Sequence, residues 1–132
     1  MAEGNEPRGT MTSRVMAMPA DTNASGDIFG GWVMSQMDIG GAVLAIRRNG
    51  GRRVATVAVD SMHFVCPVEV GDIFACYCHI AREGTTSIAV KIEAWVERQG
   101  QTDLKKVTQA VFTYVALDEE GNPTPLPEEA VS

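Results

Sequence analysis

The chain has 132 residues, 45% of them hydrophobic, and a formal net charge of −6 at pH 7. That length is enough for one hydrophobic core without disulfides or metal, and the negative balance argues against nucleic acid, whose phosphates call for a basic surface. The three cysteines, Cys66, Cys76 and Cys78, lack C-x-x-C spacing, and neither a signal peptide nor a transmembrane run is visible, so reduced core thiols and a cytoplasmic location are expected.

Residues 1–12 are polar and unpatterned and are assigned to a flexible N-terminal tail. Residues 13–18 alternate weakly as a first strand that Pro19 ends. Turn-forming side chains fill 21–27 and lead to a helix whose N-cap is a residue such as Asp27. From Trp32 to Arg48 there is no proline, and apolar or small residues occupy every face, so the helix belongs inside something. At about 1.5 Å per residue it is too short to cross a bilayer, and the enclosure must be protein.

Asp38 is the anomaly in that helix. Its neighbours one turn away are Met34 and Ser35, then Gly41 and Ala42, none of them cationic. Either the carboxylate lies on a solvated strip or is satisfied by Ser35 and water, or it is there for chemistry. Gly40 and Gly41 imply close approach to the helix backbone by a substrate or by a neighbouring strand, because two mid-helix glycines cost about 2 kcal/mol against alanine. The helix should stop at Asn49-Gly50-Gly51. Arg47, Arg48, Arg52 and Arg53 flank that stop: either Arg47 and Arg48 complement the helix dipole, or the four form a phosphate-binding cluster.

Beyond Arg53 the period becomes two. Strands are expected over 54–65, 73–81, a long third segment from about 87, and 107–117, separated by turns at 66–72, 82–85 and 99–103. Ile88, Val90, Ile92, Ala94 and Val96 should face inward, with Lys91, Glu93 and Glu97 outward. Residues 119–132 read as an acidic, proline-containing, solvated tail. The fold class is therefore α+β, a curved antiparallel sheet wrapped around one long helix in a single domain over 13–118. One sheet of this size leaves part of the helix bare, so the expected unit is a homodimer whose sheets pair edge to edge, with composite sites at the seam.

Familiar catalytic motifs are mostly absent. Gly26-x-x-x-Gly30-Gly31 has neither the Gly-Lys-Ser/Thr of a phosphate loop nor a surrounding βαβ unit, but it does place free N–H groups at a helix N-terminus, where they can polarise a carbonyl. His63 and His79 lack metal-ligand spacing and Ser35 lacks a histidine partner, so neither a metal site nor a Ser-His-Asp triad is expected. Thr85, Thr86 and Ser87 after Gly84 either donate to a phosphate or pantetheine arm or only stabilise a hairpin.

Taken together, Asp21-Thr-Asn23, Gly26-Asp-Ile-Phe-Gly-Gly-Trp-Val-Met-Ser-Gln-Met-Asp38, Thr56-Val-x-Val-Asp-Ser-Met-x-Phe64 and Pro67-Val-x-Val-Gly-Asp72 resemble the bacterial hotdog-fold acyl-CoA thioesterases of the YciA-like subgroup, over about residues 13–125. The resemblance implies hydrolysis of acyl-coenzyme A to free acid and coenzyme A without a further cofactor, in dimers commonly assembled to hexamers. By motif position it makes Asp38 the catalytic carboxylate, puts the Gly31 N–H on the thioester carbonyl, and brings Asn23 from across the seam. It also puts Thr85, Thr86 and Ser87, with Arg53, Ser61 and Arg82, among the candidates for coenzyme A contact. Asp38 then serves as general base or as nucleophile through a mixed anhydride. A hydratase of this fold would need a histidine that the helix lacks. An acyl-CoA sensor without turnover is the alternative.

Overall fold

The computed structural model describes residues 6–128; the ends of both expected tails, 1–5 and 129–132, lie outside the described residues. Five antiparallel strands form one sheet in the order β1-β3-β4-β5-β2: β1 (Thr10–Met16), β2 (Val54–Val59), β3 (Ile73–Glu83), β4 (Ser87–Glu97) and β5 (Leu104–Ala116). The single long helix, α1 (Gly30–Arg48), lies across one face of that sheet and touches all five strands.

The alternation expected for the strands decides which face receives the helix. Phe74, Cys76 and Cys78 of β3, Ile88, Val90, Ile92, Ala94 and Val96 of β4, and Phe112 and Tyr114 of β5 form the core against Val33, Met37 and Ala45 of α1. Each large side chain so buried contributes about 1.5–3 kcal/mol of transfer free energy. Burial also pushes the Cys76 thiol up to about 12 and raises that of Cys78, so both remain protonated core residues. Glu93 points outward as expected but is buried, accepting from Trp95 Nε1 at 3.0 Å and the Arg8 N–H at 3.2 Å on the outer face of the sheet.

The helix ends where the glycines predict. Gly50 and Gly51 take φ of 70° and 88°, and their N–H groups bond to the Arg47 and Ile46 carbonyls at 3.1 and 2.9 Å. The start differs from the expectation. Phe29, not Asp27, occupies the N-cap and offers no side-chain acceptor. Asp27 is held back in the preceding turn because its N–H donates to Asn23 Oδ1 at 3.1 Å and its carbonyl accepts the Asn23 N–H at 2.7 Å.

Other boundaries move as well: β1 ends at Met16 rather than 18, β3 runs on to Glu83 rather than 81, and β5 begins at Leu104 rather than 107. β2 stops at Val59 rather than 65, because the Asp60 carboxylate accepts the Val111 N–H at 2.8 Å in place of a ladder carbonyl. The sheet begins at Thr10, three residues before the expected domain start. Residues 119–127 are not a free tail. Asp118 Oδ1 accepts the Glu120 and Asn122 N–H groups at 2.9 Å each, and the chain folds back so that the Leu126 N–H reaches the Thr85 carbonyl and Leu126 packs on the core. In the turn before β3, Asp72 is buried, closes onto the Glu69 N–H at 2.8 Å, and takes Arg98 in a two-pronged ion pair at 2.9–3.0 Å.

Candidate active site

The two glycines in the middle of α1 answer to the sheet. A Cβ at Gly40 would sit 2.9 Å from Cys76 Cβ, and one at Gly41 would fall on the Tyr114 hydroxyl and Ile92 Cδ1. Neighbouring strands, not a substrate, are the close approach here, and they bring two hydroxyls to Asp38. Thr56 Oγ1 on β2 donates to Asp38 Oδ1 at 2.7 Å, and the buried Tyr114 hydroxyl on β5 donates to the Asp38 carbonyl at 2.8 Å. Thr56 and Tyr114 face each other in the β2–β5 ladder. Burial first, then the negative charge of Asp38, raises the Tyr114 hydroxyl pKa well above its ordinary value, so it stays a donor. Ser35 is not the partner of Asp38. The carboxylate is half-buried, with Oδ1 tied to Thr56 and the Tyr114 hydroxyl close enough to feel its charge.

A second cluster forms at the N-terminal end of the helix. Gly30 and Gly31 lie in its first turn, where N–H groups have no intrahelical acceptor, and the N-cap supplies none. Around Gly31 a Cβ would meet nothing within 4 Å. Asn23 stands just upstream; its Oδ1 accepts the Ser25 and Asp27 N–H groups at 2.9 and 3.1 Å, which orients its amide NH₂ away from the turn. Beside this end opens an apolar cleft of about 390 Å³ lined by Ile28, Gly30, Val33, Phe64, Pro67 and Val68. Gly31 and Asp38 are two turns apart, about 10 Å along the axis, so one chain cannot bring both to the same carbonyl.

The remaining candidates divide. Thr85, Thr86 and Ser87 occupy the β3–β4 turn, where the Thr86 carbonyl accepts the Ala116 N–H at 2.8 Å and the Arg53 carbonyl accepts the next N–H, of Leu117, at 3.1 Å. Arg53 and this turn therefore flank the same end of β5, with the exposed Arg82 on the neighbouring strand. Ser61 is elsewhere, in a cleft on the outer face beside Lys91 and Lys106. Of the arginine cluster, Arg48 is engaged by Glu83 at 2.7 Å and by the Pro127 carbonyl, and Arg52 reaches Asn49 Oδ1 at 3.1 Å; Arg47 and Arg53 are exposed. Arg52 thus serves the helix end, whereas Arg48 ties the helix to β3 and to the C-terminal segment. Sequence reasoning missed Thr56 and Tyr114 as partners of Asp38, since nothing local marks a hydroxyl 18 or 76 positions away. Among the described residues no three His, Cys, Asp or Glu side chains cluster as a metal site, and no helix is long and apolar enough to cross a membrane.

Comparison with known proteins places this arrangement. Residues 25–102 match the Thioesterase superfamily. The acyl-CoA thioester hydrolase YciA of Escherichia coli (strain K12) is 52% identical over 128 residues, covering 95% of this chain and 96% of that one. A hexameric thioesterase from Yersinia pestis superposes with a TM-score of 0.87 at 52% identity, covering 93% of this chain and 99% of that one. An acyl-CoA hydrolase from Staphylococcus aureus, solved with butyryl coenzyme A and coenzyme A, superposes with a TM-score of 0.79 at 30% identity, covering 87% and 70%. One helix cradled by five antiparallel strands is the hotdog fold of such enzymes. This chain belongs to the thioesterase superfamily and, within it, to the YciA-like acyl-CoA thioester hydrolases.

Proposed function

We propose that the protein hydrolyses acyl-coenzyme A thioesters to a carboxylic acid and coenzyme A, at sites built from two copies of the chain. The observation that carries this reading is the partly exposed Asp38 carboxylate, held on one oxygen by Thr56, on the side of the helix nearest the edge strand β2. Beside it Ile39, Val57 and Val59 are exposed, an apolar edge that a second β2 covers if two sheets pair. Such pairing brings the N-terminal end of one helix toward Asp38 of the other. The hexameric state of the Y. pestis relative supports assembly, here as a trimer of such dimers.

In this arrangement the Gly31 N–H of one copy, with the positive end of its helix, stabilises the charge that develops on the thioester oxygen. Asn23 of the same copy supplies a further donor. Asp38 of the other copy takes the proton of an attacking water, or attacks directly to give a mixed anhydride that water then opens. Either route ends with the acyl group bonded to water's oxygen and a proton on the coenzyme A thiolate. The acyl chain lies in the apolar cleft between Val33, Phe64 and Val68, and coenzyme A runs toward Arg53 and the 85–87 turn. The S. aureus enzyme was also solved as variants with an aspartate or an asparagine replaced by alanine, the asparagine form with coenzyme A bound; those two positions are spaced as Asp38 and Asn23 are here.

The test is acyl-CoA turnover followed by thiol release. Asp38→Asn should lower kcat by about 10²–10⁴-fold in a folded protein. Co-refolding Asp38→Asn with Asn23→Ala chains should return activity, because a mixed dimer contains one intact site. A folded Asp38→Asn protein with near-native turnover would remove Asp38 from the chemistry, and wild-type protein that binds coenzyme A without any turnover would leave a sensor.

A further inference from the structure

The Asp38 carbonyl lies in mid-helix, where the N–H four residues on already provides its regular partner. The Tyr114 hydroxyl therefore is not needed to satisfy that carbonyl. It reaches the carbonyl only because Gly41 has no Cβ, and it does so from a ring stacked on Phe112 with centroids 6.5 Å apart, at a position with no solvent exposure. Directly across the ladder, Thr56 holds the carboxylate of the same residue. Asp38 is gripped at two points by adjacent strands, once through its backbone and once through its side chain. A carboxylate on a helix otherwise has two side-chain torsions and the small rotations of the helix with which to drift, and about 1 Å of misplacement can cost a factor of about 10² in rate.

We infer that Tyr114, working through the gap left by Gly41, is a positioning residue that fixes the rotation and height of α1 so that Asp38 meets Thr56 in its reactive orientation. The inference rests on the proposed role of Asp38 and adds to it a cause for the buried tyrosine and for the second glycine of the pair. Because burial keeps the hydroxyl protonated, the grip holds across the working pH range.

The experiment compares full-length wild type with Tyr114→Phe, Thr56→Val and the double variant in acyl-CoA hydrolysis, with Thr108→Val as a control. Thr108 is buried and donates to the His63 carbonyl at 2.8 Å, so its variant removes one buried hydroxyl that does not touch Asp38; because His63 adjoins Phe64 of the apolar cleft, any effect on substrate should fall on KM. Tyr114→Phe should lower kcat by about tenfold or more while KM changes by less than about twofold, and Thr108→Val should leave kcat alone at a comparable loss of thermal midpoint. The double variant should lose less than the product of the single losses, since both hydroxyls act on one carboxylate. Unchanged kcat in Tyr114→Phe, a loss carried by KM, or a kcat loss matched by Thr108→Val would overturn the inference. Should Tyr114→Phe not fold, 3-fluorotyrosine is incorporated in a Tyr77→Phe background, which labels position 114 alone of the two tyrosines. It keeps the hydroxyl but alters its donor strength; kcat should then shift, and an unaltered kcat would overturn the inference. Asp38→Asn runs beside these. If it retains turnover, the site reading falls; if it abolishes turnover while Tyr114→Phe keeps full kcat, only the tyrosine's role falls.

Discussion

One helix carries two Gly-Gly pairs, and they are there for opposite reasons. At Gly40 and Gly41 an added methyl group meets Cys76, Ile92 and the Tyr114 hydroxyl, so the pair lets α1 sink onto the sheet. At Gly31 an added methyl group meets nothing, and the backbone N–H of the first turn faces open space. The first pair is full and the second is vacant within one chain. The same dipeptide thus serves packing at one place and, in the proposed site, recognition at the other, and only the surroundings distinguish them.

Substitution at each pair tests that contrast. Gly41→Ala gains about 1 kcal/mol of helix propensity but forces the helix off Tyr114 and Ile92, and the net result should be a loss of about 1–3 kcal/mol, read as a lower urea midpoint. An unchanged midpoint would mean that the helix shifts freely and that the grip on Asp38 is loose. Gly31→Ala should leave the midpoint within about 0.5 kcal/mol of wild type, since no neighbour in the chain is disturbed. Its kcat/KM should still fall, by about tenfold, because in the proposed site the methyl group stands where the thioester carbonyl approaches. Unaltered kinetics there would separate Gly31 from the substrate. A further effect is alkaline and appears only above the ordinary working range. Cys76 is raised from 9.0 to about 12 in the folded state, so between those values the unfolded chain has released a proton that the folded chain retains. Stability is accordingly intact below about pH 9 and declines above it, by at most about 1.4 kcal/mol per pH unit from this thiol. Denaturation midpoints measured against pH should show that decline, and Cys76→Ala should reduce it, leaving the part that Cys78 and Tyr114 contribute.

Local patterns made much of the fold legible in advance. Period-two alternation identified the inward face of β4 residue by residue, and the Asn49-Gly50-Gly51 cap marked the helix end. Errors arose where a side chain stood in for backbone. Asp60 ends β2 six residues early by taking a ladder bond, Asn23 holds Asp27 away from the helix N-cap, and Asp118 turns an acidic tail into a docked loop. Asn23 and Asp118 are short polar side chains bonding to N–H groups within four residues, a signal that composition reads merely as loop, whereas Asp60 bonds across the sheet to a residue 51 positions on.

The sequence by itself determined that a mostly apolar helix carries one carboxylate, that its first turn exposes glycine N–H groups, and that the strands after it present one apolar face. These follow from the 3.6 and 2.0 residue periods, which are properties of adjacent residues. Tertiary structure alone decided which hydroxyls hold Asp38. Thr56 and Tyr114 reach it from 18 and 76 positions away because β2 and β5 pair in one register and Gly41 lets the helix settle onto them, and no local period encodes that choice.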